Sequence, residues 1–195
     1  MNRLLLEKQD WLIREKALWN AGFHIIAGVD EAGRGCLAGP VVAAAVILHT
    51  NQDIEGVYDS KLMTHGARKL AYDRIIDQCA CVSLGASSNR SIDSSNILSA
   101  TMSAMRLATK RLRIAPDYIL IDGNKCPDNL RSKAELIIGG DRVSRSIAAA
   151  SIIAKVVRDK LLENLGHIYK DYGFGKHKGY GTSDHIAAIN SFGAT

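Results

Sequence analysis

The chain has no cysteine framework: Cys36, Cys79, Cys81 and Cys126 form no C-x-x-C pair and have no histidine nearby at zinc-ligand spacing. That sets aside a disulfide-stapled or zinc-ribbon architecture, and reduced thiols in a cytoplasmic protein are expected. A long apolar run is also missing. The longest, Leu37 to Leu48, is broken by Gly39-Pro40 and is far too short to span a bilayer. Leu4-Leu5-Leu6 is followed at once by Glu7, Lys8 and Asp10, which leaves no signal-peptide core, so no membrane attachment is expected. Repeats and low-complexity linkers are lacking too. With 195 residues, 47% of them apolar, the default is one compact α/β domain with a sizeable core.

What is present starts with charge. A formal net charge of +5 and a sequence pI near 9.1 suit a polyanionic partner, although the same balance occurs in proteins without one. The chain is organised around residues 25 to 48. Ile25 to Val29 and Val41 to Leu48 read as buried strands, being short, β-branched or small, and bounded by glycines. Between them lies Asp30-Glu31-Ala32-Gly33-Arg34-Gly35. Two carboxylates at the end of a buried strand are costly to desolvate unless a cation sits beside them, and the two glycines let backbone approach a ligand closely. Gly33 to Ala38 also fits a loose G-x-G-x-x-A dinucleotide pattern. Context rejects it, because Gly39-Pro40 and a second β-rich run follow where that fingerprint requires a helix.

Elsewhere the same device recurs. Tyr118-Ile119-Leu120-Ile121-Asp122-Gly123 is again an apolar strand ending in an acid, and Leu136-Ile137-Ile138-Gly139-Gly140-Asp141 repeats it. If parallel and adjacent, such strand ends form one crevice. Asp30, Glu31, Asp122 and Asp141 could converge there only with hard cations to relieve their repulsion, and an all-oxygen set favours magnesium or manganese over zinc. The residues alone leave this reading open beside structural caps.

The helices read as follows. Residues 3–20 form an amphipathic helix with Leu4, Leu5, Trp11, Leu12, Leu18 and Trp19 inward and Glu7, Arg14 and Glu15 mostly elsewhere. Thr64 caps a helix to about Gln78 with Leu70, Ile75 and Ile76 inward, and Asn96 to Arg113 and Ser144 to about Leu165 are two more. On the last of these, Ser151, Lys155 and Asp159 share a face; a surface ion pair or another structural role is favoured for Asp159 over metal ligation. Asp59-Ser60-Lys61 is either a helix-entry loop or a hydroxyl and an ammonium aimed at a phosphate. Tyr172 to Gly181 interleaves basic, aromatic and glycine residues, as a loop gripping a phosphate backbone would. Thr182 caps a final helix ending near Phe192.

Taken together, Gly28-Val29-Asp30-Glu31-Ala32-Gly33-Arg34-Gly35, Asp59-Ser60-Lys61, Ile121-Asp122-Gly123-Asn124, Gly140-Asp141, Ala149 to Lys155 with Arg158-Asp159, and His177-Lys178-Gly179-Tyr180 resemble bacterial ribonuclease HII. The resemblance runs from about residue 23 to the end. It implies an RNase H-like fold, a mixed central sheet flanked by helices, with residues 1–22 as a helix packed on a catalytic domain of residues 23–195 whose C-terminal tail is shorter than usual. It further implies cleavage of RNA in RNA-DNA hybrids and incision 5′ of a single ribonucleotide in duplex DNA, using Mn2+ or Mg2+ and acting as a monomer. Asp30, Glu31, Asp122 and Asp141 become the metal-binding catalytic acids. Gly33, Arg34 and Gly35 would read the ribose 2′-hydroxyl, Tyr180 would stack on the next deoxyribose, and Ser60, Lys61 and Lys178 would hold phosphates. Ribonuclease HIII is similar but carries Gly-Thr-Gly in place of Gly33-Arg34-Gly35. A catalytically weakened nucleic-acid-binding module is the alternative of another class; the presence of all four acids argues against it.

Overall fold

The computed structural model describes residues 11–195, so residues 3–10 of the helix expected over residues 3–20 lie outside the described residues. In chain order the principal elements are α1 (Ile13–Asn20), β1 (Ile26–Ala32), β2 (Val41–Ile47), α2 (His65–Gln78), β3 (Cys81–Ser87) and α3 (Asn89–Ser94). These are followed by α4 (Ile97–Lys110), β4 (Tyr118–Asp122), β5 (Ala134–Ile137), α5 (Arg145–Ile168), α6 (Phe174–His177) and α7 (Ser183–Phe192). No helix of the described residues is long and apolar enough to cross a membrane.

The strands form one mixed sheet in the order β3-β2-β1-β4-β5, with β1, β4 and β5 parallel and β2 and β3 antiparallel to their neighbours. Period-two alternation sorts its side chains onto two faces. Ala27, Val29, Val41, Ala43, Ala45, Ile119 and Ile121 pack against Ala104, Met105 and Ala108 of α4. Ala44 and Val46 meet the Ala148–Ala154 face of α5 and, beyond it, Ala71 and Ile75 of α2. The expected inner face of α2 is corrected here. Leu70 is 61% exposed and Ile76 46%, because α2 leans on α5 through Ala71 and Ile75 and does not touch the sheet along its full width.

One glycine sets the position of the longest helix. A Cβ on Gly28 would fall 2.1 Å from the carbonyl carbon of Ser146 and 2.3 Å from the amide of Ile147, so β1 and the first turn of α5 touch backbone to backbone. Side chains further along the same face of β1 and the same face of α5 are therefore forced together, which is what places Asp30 beside Ser151.

The start of α5 is fastened from another side. Glu15 of α1, expected on a polar face, is 2% exposed. Its Oε1 accepts hydrogen bonds from the Ser144 hydroxyl (2.6 Å), the Ser146 hydroxyl (2.5 Å) and the Ser146 amide (2.9 Å). A carboxylate at the N-terminus of a 24-residue helix faces the positive end of its dipole and satisfies an otherwise orphaned N–H. Ser144 adds its own cap to the Ile147 amide. Trp11 then lies under the Arg145 guanidinium, 5.4 Å from ring centroid to Cζ.

Candidate active site

The parallel register between β1 and β4 runs from Ile26–Tyr118 to Val29–Ile121, so the next residues along the two strands, Asp30 and Asp122, emerge side by side. Both belong to the set of positions that face α5. The acids of β1 are not past its end, as expected, but within it: Asp30 pairs with Ala44 and Glu31 with Ala43 of β2. It is β4 that stops, and the carboxylates stand at that step in the sheet.

Asp141 arrives by a different route from the one its sequence suggests. β5 ends at Ile137, four residues earlier, and Ile138 is exposed. Gly139, at φ +68°, turns the chain into a short 3-10 helix, Gly140–Arg142, that carries Asp141 inward. The Gly140 amide donates to Asp122 Oδ1 at 2.7 Å, which ties this turn to the end of β4.

Burial and like charge dominate the electrostatics. The Asp30 carboxyl is pushed well above the usual carboxylate range by desolvation first, then by Glu31 and Asp122; the Glu31 amide and Ser151 hydroxyl only partly offset this. Burial also raises Glu31, against the pull of the Arg34 guanidinium 3.3 Å from its Oε1. Burial raises Asp141 in the same way, opposed mainly by Lys61. Lys61 answers from the opposite sign. Desolvation would lower its pKa, but Asp141, 3.5 Å from Nζ, together with Asp30, Asp59 and Asp122 moves it upward.

A cluster in which acids raise one another's pKa is short of positive charge, and the Lys61 ammonium is placed to offset it. The donor set is all carboxylate oxygen, which suits magnesium or manganese. Among the described residues no three such side chains already stand in ligating geometry. In donor chemistry, carboxylates gathered around buried Asp30, the residues present fit such an ion.

Ser60 and Ser151 share a 2.8 Å hydrogen bond, so Ser60 supports the Asp30 side of the cluster through a hydroxyl pair. Two participants escaped the sequence reading. Ser151 contacts Asp30 directly. Asp59, 1% exposed, accepts from the Lys61 amide and from Arg142 Nε, fixing the turn that presents Lys61. A signal existed for both, since Asp59 and Ser151 lie inside the quoted motifs, but nothing in spacing distinguishes a buried serine or aspartate from a cap.

The Gly33–Gly35 loop and the 177–181 loop lie together beside these acids. Arg158, fully buried, donates to the carbonyls of Ala38, Pro40 and Lys178 at 2.9 Å each, and the Leu37 amide donates to Gly179 O. The two glycines of the first loop serve different ends. Gly33 has φ +111° and a Cβ there would sit 2.4 Å from Arg158 Nε, so the fold itself requires it, whereas a Cβ on Gly35 would meet nothing within 4 Å. Gly35 thus leaves backbone open to a ligand. Tyr180, 42% exposed, stands at the edge of this surface with Lys155 Nζ 5.1 Å from its ring centroid. Lys178 is not brought to the acids: its ammonium is held by Glu163 Oε1 at 2.7 Å and by Gly175 O. Asp159 is engaged by Lys155 at 2.8 Å in a half-buried pair, as a structural role requires.

Comparison with known proteins bears on the family and the fold. The family model described as Ribonuclease HII matches residues 27–195. A ribonuclease HII of Acetivibrio thermocellus is 48% identical over 99% of this chain and 73% of its own length, and one of Paracidovorax citrulli is 51% identical over 87% and 70%. Among solved structures, the ribonuclease H2 of Pyrococcus horikoshii superposes with a TM-score of 0.73 at 26% identity, covering 88% of this chain and 90% of that one. The mixed five-stranded sheet with its flanking helices is accordingly an RNase H-like fold, and the chain belongs to the ribonuclease HII family.

Proposed function

We propose that this protein is a divalent-cation-dependent endoribonuclease that cuts the RNA strand of RNA-DNA hybrids and incises duplex DNA on the 5′ side of a single embedded ribonucleotide. The observation that carries this reading is the emergence of Asp30 and Asp122 side by side on adjacent parallel strands, with Asp141 tied to Asp122 through the Gly140 amide. Family membership supplies the substrate class.

Asp30, Glu31, Asp122 and Asp141 would hold the cations, Mg2+ or Mn2+, which when bound activate a water for in-line attack and offset charge on the departing 3′-oxygen. The chain's own groups do the rest. Lys61 keeps a positive charge beside Asp141 and, with Ser60, borders the place where a phosphate must sit. Open backbone at Gly35 suits a ribose 2′-hydroxyl, which both donates and accepts and alone separates RNA from DNA at one nucleotide. Arg34, drawn to Glu31, joins that loop to the acids. Tyr180 offers an exposed ring to the sugar that follows. The products would carry 3′-hydroxyl and 5′-phosphate ends. Action as a monomer in the cytoplasm belongs to the same reading.

The test is a substrate panel: end-labelled DNA duplex with one ribonucleotide, the same duplex without it, and a continuous RNA-DNA hybrid. Expected are a single cut 5′ of the ribonucleotide, multiple cuts in the hybrid, and an intact all-DNA duplex. Cutting of the all-DNA duplex, or of the 3′ side alone, would overturn the assignment.

A further inference from the structure

Tyr180 is held by more than its backbone. Its carbonyl accepts from His185 Nδ1 at 2.9 Å and its amide donates to the His177 carbonyl at 3.0 Å, while the Gly179 amide donates to His177 Nδ1. His177 and His185 are stacked, 4.3 Å between centroids. These contacts fix where the ring begins, but χ1 and χ2 still have to be chosen. Two groups reach the ring itself, the Cys36 thiol at its hydroxyl and a cation at its face. Lys155 reaches across from α5 and puts its ammonium 5.1 Å from the Tyr180 centroid. Asp159, one turn further along α5, holds that ammonium at 2.8 Å, and the lysine side chain is 21% exposed, so the cation is fixed and partly desolvated.

We propose that Lys155 is the positioning residue for Tyr180: anchored by Asp159, its ammonium occupies one face of the ring and leaves only the opposite face for a sugar of the nucleic acid. The cation is attracted to the ring by its quadrupole, and partial burial strengthens that attraction over what an exposed pair would have. The geometry serves selectivity. A ring free to rotate would present edge and face alike, whereas one clamped from behind presents a flat apolar surface at a fixed distance from the open backbone of Gly35. Arg158 supports the same register by joining the carbonyls of Ala38 and Lys178, which ties the segment after the glycine loop to the one that carries the ring. Lys155 therefore acts through Tyr180 and not as an independent phosphate ligand. This rests on the reading of Tyr180 as the sugar-stacking residue.

The experiment is a double-mutant cycle on incision of the single-ribonucleotide duplex, with kcat and KM measured for wild type, Lys155→Met, Tyr180→Ala and the double variant, and Lys155→Arg as rescue. Methionine keeps the apolar stem and removes the charge. Lys155→Met is expected to lower kcat/KM on the order of fivefold, and Lys155→Arg to restore most of it because a guanidinium also sits well on an aromatic face. In the Tyr180→Ala background the Lys155→Met change is expected to have no further effect. Additive losses would overturn the proposal by making Lys155 an independent contact, and so would failure of arginine to rescue when circular dichroism shows all variants folded. If Tyr180→Ala alone leaves kcat/KM unchanged, the underlying stacking reading fails instead, which is a separate result from additivity.

Discussion

Asp30→Asn is expected to abolish cleavage and at the same time to make the cation-free protein more stable. Both effects come from one fact: Asp30 is a nearly fully buried carboxylate whose nearest charged neighbours are Glu31 and Asp122. The amide keeps the shape and the acceptor oxygen that the Glu31 amide uses, and it removes the charge. Loss of one cation-holding carboxylate should cost at least about a thousandfold in rate. Relief of a buried charge that Lys61 offsets only in part should raise stability by about 2 kcal/mol, or about 5 °C in Tm for a domain of this size. The pH dependence fixes the sign. Because the folded-state pKa of Asp30 is raised, the folded protein binds this proton more tightly than the unfolded chain does. Its contribution to stability is therefore lost as pH rises from the ordinary carboxylate value, about 4, through the raised folded value. The gap in Tm between variant and wild type, measured with chelator, should be small below pH 4 and widen towards neutrality. A variant less stable than wild type at pH 7 would contradict this, and retained cleavage would remove Asp30 from the site. Sites that act on charge are commonly built at the expense of stability in this way.

Glu15→Ala should be the most damaging change far from the carboxylates. It strips three hydrogen bonds, one of them from backbone, from the first turn of α5, leaves the Ser144 and Ser146 hydroxyls buried without their shared acceptor, and removes a negative charge from the helix N-terminus. The combined loss is about 3 kcal/mol, or a fall of about 10 °C in Tm. Glu15→Gln should lose less, since one oxygen still accepts. The consequence reaches the site because the same turn of α5 rests on Gly28 and sets where Ser151 meets Asp30. Thermal unfolding of the three proteins decides the point, and a Glu15→Ala midpoint equal to wild type would mean that α1 does not fasten α5.

Glu15 also shows where sequence reading stops. The strands, the caps at Thr64 and Thr182, the helices that begin near Asn96 and Ser144, and the recurrence of an acid after an apolar run at Asp30, Asp122 and Asp141 are legible, because short apolar runs, capping residues and the acids that follow them are local signals. The sequence places Glu15 away from the apolar side of its helix, and nothing near it in the chain announces Ser144 and Ser146, more than 120 positions away. Leu70 and Ile76 misled in the opposite direction: apolar residues at helical spacing looked like an inner face, but α2 leans on α5 along a narrow line. The ion pair of Lys178 is equally silent in the sequence, because its partner Glu163 lies on another element. Arg158 is the sharpest case. A charged residue in an amphipathic helix is ordinarily solvated, and only the meeting of two distant loops turns it into a buried clasp for three carbonyls.

The measurement that reaches the central claim most directly is incision of the single-ribonucleotide duplex by wild type and Asp122→Asn, each with Mn2+, with Mg2+ and with chelator, alongside duplex binding. Wild type should cut with either ion and not with chelator. Asp122→Asn should bind the duplex with similar affinity and leave it intact, since the change removes a cation-holding charge while an acceptor for the Gly140 amide remains. Cutting that persists in chelator, or an Asp122→Asn variant as active as wild type, would show that the acids at the ends of β1 and β4 are not the cleavage site.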